Sequence, residues 1–190
     1  MINRIIIILL IIASSVGYSL YQNKRLESQL SVVPEAILSK LPVGVFETLD
    51  GETFDPFKLY SNEDKTNLLL VHFWGTWCAP CEAELPDLMS FIKKYEGRSD
   101  VKFLLVAVND EKQKILQHLK KLSIPNSSIL WLIDNKNIHR ELYGTTRVPE
   151  TYVFSSDKTT LRKYMGPQEW GKSMFSEVFE DFIQLSEKKL

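Results

Sequence analysis

The chain has 190 residues, 44% of them hydrophobic and 25% charged, with a formal net charge of −1. That composition suits one globular domain with a tail, and excludes a long disordered or collagen-like chain. The charge balance argues against a nucleic-acid partner, and two cysteines exclude a disulfide scaffold or a four-cysteine metal site.

Arg4 is followed by an uncharged, mostly apolar stretch from Ile5 to Tyr21, closed by Lys24 and Arg25. At about 1.5 Å per residue it reaches roughly 25 Å, the short end of a membrane-crossing helix. Residues 1–21 therefore read as an uncleaved signal anchor, with a cleaved signal peptide or a buried core helix as alternatives. Flanking charges nearly cancel, so they barely set orientation. A lone apolar segment at the extreme N-terminus usually works as an export signal, which places the globular part outside the cytoplasm. Residues 22–40 are polar and read as a stalk, and residues 41–190 as the folded domain.

Within that domain, Val43–Thr48, Asp50-Gly51 and Glu52–Phe54 predict a small hairpin through a primed turn. The apolar runs Asn67–Trp74, Val101–Val108 and Ile129–Ile133 predict strands buried on both faces. Helical spacing marks Cys81–Tyr95, Glu111–Leu122 (Ile115, Leu116, Leu119 and Leu122 apolar) and a short segment, Ile138–Tyr143. Thr151–Ser155 and Leu161–Met165 predict a second hairpin. Trp170–Leu185 predicts a closing helix with Met174, Phe175, Val178, Phe179 and Phe182 inward. Alternation followed by a hairpin argues an α/β fold, a central mixed sheet with helices on both faces.

Chemistry concentrates in Phe73-Trp74-Gly75-Thr76-Trp77-Cys78-Ala79-Pro80-Cys81. Cys78 falls near a helix N-cap, where unsatisfied amides and the helix dipole favour thiolate over thiol. Pro80 falls in the first turn, where its missing amide hydrogen costs nothing. Cys81 is near enough to close a small disulfide ring. The pair suits dithiol–disulfide exchange: Cys78 attacks a disulfide, then Cys81 resolves the mixed disulfide. The pair as half of a zinc site would need two further ligands, and no second pair exists; neither metal nor cofactor is expected.

With these residues the sequence resembles the thioredoxin superfamily, and within it the membrane-anchored TlpA/ResA/CcmG-like thiol–disulfide oxidoreductases. Three segments carry the resemblance: Trp77-Cys78-Ala79-Pro80-Cys81, Cys81-Glu82-Ala83-Glu84-Leu85-Pro86 and Val148-Pro149-Glu150-Thr151-Tyr152-Val153. It implies a thioredoxin-like fold, with Pro149 a cis proline facing the cysteines and Val148 offering its backbone to an extended substrate. Glu84, three residues after Cys81 and on the same helical face, would manage the Cys81 proton; the bland alternative is a solvated carboxylate. His72 departs from the family, which places Asp or Asn there. It would either take the Cys81 proton or sit as a neutral core histidine. Trp77 is read as an apolar contact surface for substrate, and His118 and His139 as surface residues.

The resemblance implies a reductase of protein disulfides, for example of apocytochrome c before haem attachment, re-reduced by a membrane electron donor. A thiol oxidase or disulfide isomerase on the same fold is the first rival. A peroxidase is the second, although those carry a Thr-x-x-Cys motif and Thr76 precedes Cys78 by only two. A copper-binding carrier is the third, although such carriers space their cysteines three apart.

Overall fold

The computed structural model describes residues 14–19, 21, 38–60, 66–122 and 129–187. The chain divides into two units, Met1–Glu35 and Ala36–Leu190. In the first, residues 14–19 and 21 are helical with exposed side chains. No helix among the described residues is long and apolar enough to cross a membrane. Most of the expected anchor and stalk lies outside the described residues.

The second unit is built on one seven-stranded mixed sheet. Its strands are β1 (Phe46–Thr48), β2 (Thr53–Phe54), β3 (Leu68–Trp74), β4 (Val101–Val108), β5 (Ile129–Asp134), β6 (Glu150–Ser155) and β7 (Thr160–Met165). Their spatial order is β2-β1-β5-β4-β3-β6-β7. Strands β3, β4 and β5 run parallel, while β1 and β6 flank them antiparallel. The helices are α1 (Ala79–Lys93), α2 (Lys112–Lys121), α3 (Ile138–Leu142) and α4 (Ser173–Glu187), with a 3-10 turn at Pro56–Tyr60. The expected mixed sheet and N-terminal hairpin extension are both present.

All seven residues of β3 are buried, which explains its unbroken apolar run. Alternation sends Leu69, Val71 and Phe73 into one core layer with Leu104, Val106, Tyr143, Tyr152 and Phe154. The opposite face carries Leu68, Leu70, His72 and Trp74. It lies towards α1 and α4, whose Phe91 and Phe179 stack edge-on at 5.1 Å. Strand pleating thus decides that His72 points to the helix bearing the cysteines. Phe179 also meets Tyr95 at 4.8 Å and Phe103 at 6.1 Å. Phe179→Ala is expected to lose about 3–5 kcal/mol, read as a lowered urea midpoint with an unchanged slope.

Three local expectations need correction. The β1–β2 connection is not a primed two-residue turn, because Gly51 alone has positive φ (85°). Gly51 donates to the Thr48 carbonyl and Thr48 to that of Glu52, the pattern of a three-residue loop with a bulge. The closing helix starts at Ser173 rather than Trp170, and its Met174 is exposed, as is Leu116 on α2. Finally, His139 is buried rather than on the surface. Its ring stacks on Phe46 at 3.7 Å, with Nδ1 3.6 Å from Asp134 Oδ1. The hairpin extension covers it: a Cβ on Gly44 would stand 2.9 Å from its Nε2. Ser39 and Lys40, in the segment read as stalk, pair with the β6–β7 turn through Thr160 and Thr159.

Candidate active site

Strand β3 ends at Trp74, and after three intervening residues the chain turns into α1 with Cys78 as its N-cap. The Cys81 amide donates to Cys78 Sγ at 3.3 Å, so the helix terminus is satisfied by sulfur. The two sulfurs are joined in a disulfide. Cys78 retains 5% of its surface and Cys81 none, so an incoming group meets Cys78 first.

The turn before Cys78 is held from two sides. Asp110, just beyond β4, accepts from the Thr76 amide at 2.6 Å and the Thr76 hydroxyl at 2.9 Å. It also accepts from the Glu111 amide, and its own amide is bound by Asn135. The Trp77 indole donates to the Val108 carbonyl at 2.9 Å, while 57% of the residue stays exposed beside Cys78. That fold-back requires Gly75, where a Cβ would lie 2.7 Å from the indole nitrogen. Asp110 is absent from the sequence reading; an Asn-Asp pair directly after a buried strand is its only local signal.

Opposite the disulfide is the Val148–Pro149 peptide, which is cis, as the resemblance implies. The Val148 carbonyl oxygen lies 3.8 Å from Cys78 Sγ. Behind it, Glu150 is buried and paired with Lys163 at 3.2 Å, another pairing the sequence reading misses.

Beneath the cysteines the structure brings Glu84 and His72 together. Glu84 keeps 5% of its surface and His72 none. Glu84 Oε2 accepts from the Gln168 amide at 2.6 Å and the Trp170 indole at 3.2 Å. Its Oε1 and the His72 Nε2 face one another at 3.6 Å, beyond hydrogen-bond distance, and neither has another partner among the described residues. His72 Nδ1 is bonded to the Thr151 hydroxyl at 2.8 Å. Burial pushes His72 down to about 3, so the imidazole is neutral at physiological pH. Burial lifts Glu84 to about 7 against the pull of its two hydrogen bonds, so its carboxyl is poised between charge states. A charged ion pair is therefore the wrong description of this contact.

A neutral imidazole complements either state of Glu84. With Nδ1–H donating to Thr151, Nε2 is an acceptor for a protonated carboxyl. With Thr151 donating instead, Nε2–H faces a carboxylate. Glu82, by contrast, points outward from α1 and meets His118 at 3.3 Å. His118 is itself tucked against Trp74 rather than free on the surface.

The thioredoxin-like family model matches residues 66–160. A thiol-disulfide oxidoreductase ResA of Bacillus cereus is 26% identical over 166 residues, covering 86% of this chain and 87% of that protein. One from Halalkalibacterium halodurans is 24% identical over 178 residues, covering 94% and 90%. Among solved structures, a thioredoxin-family thiol:disulfide interchange protein from Chlorobium tepidum shares the fold with a TM-score of 0.59. It is 22% identical and covers 80% of this chain and 98% of that one. StoA from Bacillus subtilis gives a TM-score of 0.53 at 23% identity, covering 70% and 99%.

Proposed function

The chain belongs to the thioredoxin-like family, as a thiol–disulfide oxidoreductase, and from that premise we propose that it reduces protein disulfides outside the cytoplasm. In this reading residues 1–21 tether it to the membrane, a stalk follows from residue 22, and the folded unit, which Ser39 and Lys40 already join, carries the chemistry. One observation supports it above the rest. A rim cysteine capping a helix is paired with a buried cysteine and lies across from an open backbone carbonyl.

In the reduced enzyme Cys78 attacks a substrate disulfide as thiolate. One substrate sulfur leaves as a thiol and the other is held in a mixed disulfide. Cys81 then gives up its proton and attacks Cys78 Sγ. The second substrate thiol is released and the Cys78–Cys81 disulfide forms. Two electrons pass to the substrate; of the two protons on the released thiols, one is that of Cys81 and the other comes from solvent, because Cys78 reacts as thiolate. We assign the Cys81 proton to Glu84, whose affinity lies near neutrality, and not to His72, which is too weak a base. His72 then acts as a positioning residue, holding Glu84 through its neutral ring. Trp77 supplies apolar contact, and the Val148 backbone pairs with an extended substrate next to Pro149.

Re-reduction calls for a membrane dithiol donor, since an exported reductase has no cytosolic reductant beside it. Apocytochrome c is the substrate class the resemblance suggests. The test is the reduction potential of the Cys78–Cys81 pair in the full chain, equilibrated against thiol buffers and read by tryptophan fluorescence. A value near or below about −270 mV supports the reductase; one near about −120 mV makes the protein an oxidase or isomerase.

A further inference from the structure

The loop that faces the disulfide is secured up to one point and left open beyond it. The Tyr143 carbonyl accepts from the Tyr152 hydroxyl at 2.6 Å, and the Gly144 carbonyl from Lys163 at 3.3 Å. The Thr145 and Thr146 carbonyls both accept from Arg140, at 3.1 and 2.7 Å. After the cis peptide, the Pro149 carbonyl accepts from the Gly166 amide at 2.9 Å. Four successive carbonyls and the one after the gap are thus occupied. Between them, Arg147 and Val148 have no hydrogen-bond partner among the described residues, beyond the approach of the Val148 carbonyl to Cys78 Sγ.

Arg147 is also exposed, and its guanidinium makes no ion pair among the described residues. Neighbouring charges are spent: Arg140 on the loop carbonyls, and Glu150 on Lys163. A rigid loop therefore presents an uncommitted cation one residue from the carbonyl that touches the attacking sulfur. Two large apolar side chains are exposed nearby, Trp77 beside Cys78 in the chain at 57% and Met165 beside the strand after Pro149 at 64%.

We propose that Arg147 is a specificity-determining residue that selects substrates bearing an acidic side chain immediately C-terminal to the attacked cysteine. The inference rests on the reductase reading above and deepens it by naming a substrate class. Direction follows from strand geometry. A substrate strand running antiparallel to Arg147–Val148 places its cysteine near Val148, because Cys78 Sγ is there. Its next residue then falls opposite Arg147, since the two chains run in opposite senses. An Asp or Glu at that position meets the guanidinium in the fork geometry that Arg offers carboxylates.

The test uses the full chain, pre-reduced with dithiothreitol and desalted, and three disulfide-bridged peptides. They differ only in the residue after the attacked cysteine: Asp, Ser or Lys. The expected order of second-order rates is Asp, Ser, Lys, with about a five-fold spread at low salt, the scale of an exposed ion pair. Arg147→Glu is expected to reverse the order, and Arg147→Lys to keep it. At 1 M salt, where the Debye length falls to about 3 Å, the spread should collapse. Reduction of all three peptides at equal rates by the unaltered chain overturns the assignment of Arg147. So does an order that survives Arg147→Glu. Failure to reduce any peptide overturns the reductase reading, and the inference with it, so the two failures are told apart.

Discussion

Cys78→Ser is expected to abolish disulfide reduction, by on the order of a thousand-fold or more, while Cys81→Ser stops the enzyme one step later. A serine hydroxyl neither ionises near neutrality nor attacks sulfur at a useful rate, so the first variant has no nucleophile. The second keeps the outer sulfur at the N-cap of α1, with its helix-terminal amides. It should attack normally and then accumulate the mixed disulfide, for want of the buried sulfur that breaks it. Incubation with a disulfide-bridged peptide, acid quenching and intact-mass analysis separate the cases. The expected result is a peptide adduct on Cys81→Ser and none on Cys78→Ser. The reverse pattern would make the buried Cys81 the attacking group and overturn the order of steps assigned here.

How far these roles can be read without coordinates depends on how local their causes are. Strands β3 and β4 are legible because each is a continuous apolar run, and a strand covered on both faces needs nothing else. Cys78 as N-cap is legible because a strand, a cysteine and a first-turn proline fall in one short stretch. The cis peptide before Pro149 is legible only through family resemblance, since a valine before a proline does not specify its isomer. Other features depend on partners far away in sequence. Glu84 reads equally well as a solvated carboxylate until Gln168 and Trp170 arrive from beyond β7 to bind and bury it. His139 reads as surface on its own helix, and the β1–β2 hairpin that covers it is remote in the chain. Asp110 is invisible as a clamp until Thr76 is placed beside it by the parallel pairing of β3 with β4. What escapes the sequence is therefore mostly side-chain contact across elements, the part of the fold that periodicity does not encode.

The Glu84–His72 contact has a further consequence for stability, with Glu84→Gln as its probe. Unfolding returns both groups to ordinary values, near 4.5 for the carboxyl and 6.5 for the imidazole. Between those values the unfolded pair holds one proton, on His72. The folded pair also holds one, on Glu84, because burial lifts the carboxyl to about 7 and lowers the imidazole to about 3. Folding thus moves a proton from one group to the other without changing their total, and between pH 4.5 and 6.5 the pair adds almost no pH dependence. The separate contributions have opposite signs. Glu84, with its raised value, contributes stability below about 4.5 that is lost as pH climbs through 7. His72, with its lowered value, contributes stability above 6.5 that is lost as pH falls towards 3. Gln at position 84 keeps the acceptor for Gln168 and Trp170 but removes the first contribution, so the second stands alone. Urea unfolding of the oxidised full chain should show the variant gaining on the unaltered protein by about 3 kcal/mol from pH 4 to pH 8. Below pH 6.5 the variant's own stability should fall by about 1.4 kcal/mol per pH unit relative to its other titrating groups, all shared with the unaltered chain. A difference between the two proteins that stays constant across this range would mean that Glu84 titrates in the folded state at its ordinary value, near 4.5, too low an affinity to hold a proton near neutrality. The proton released by Cys81 would then need another acceptor.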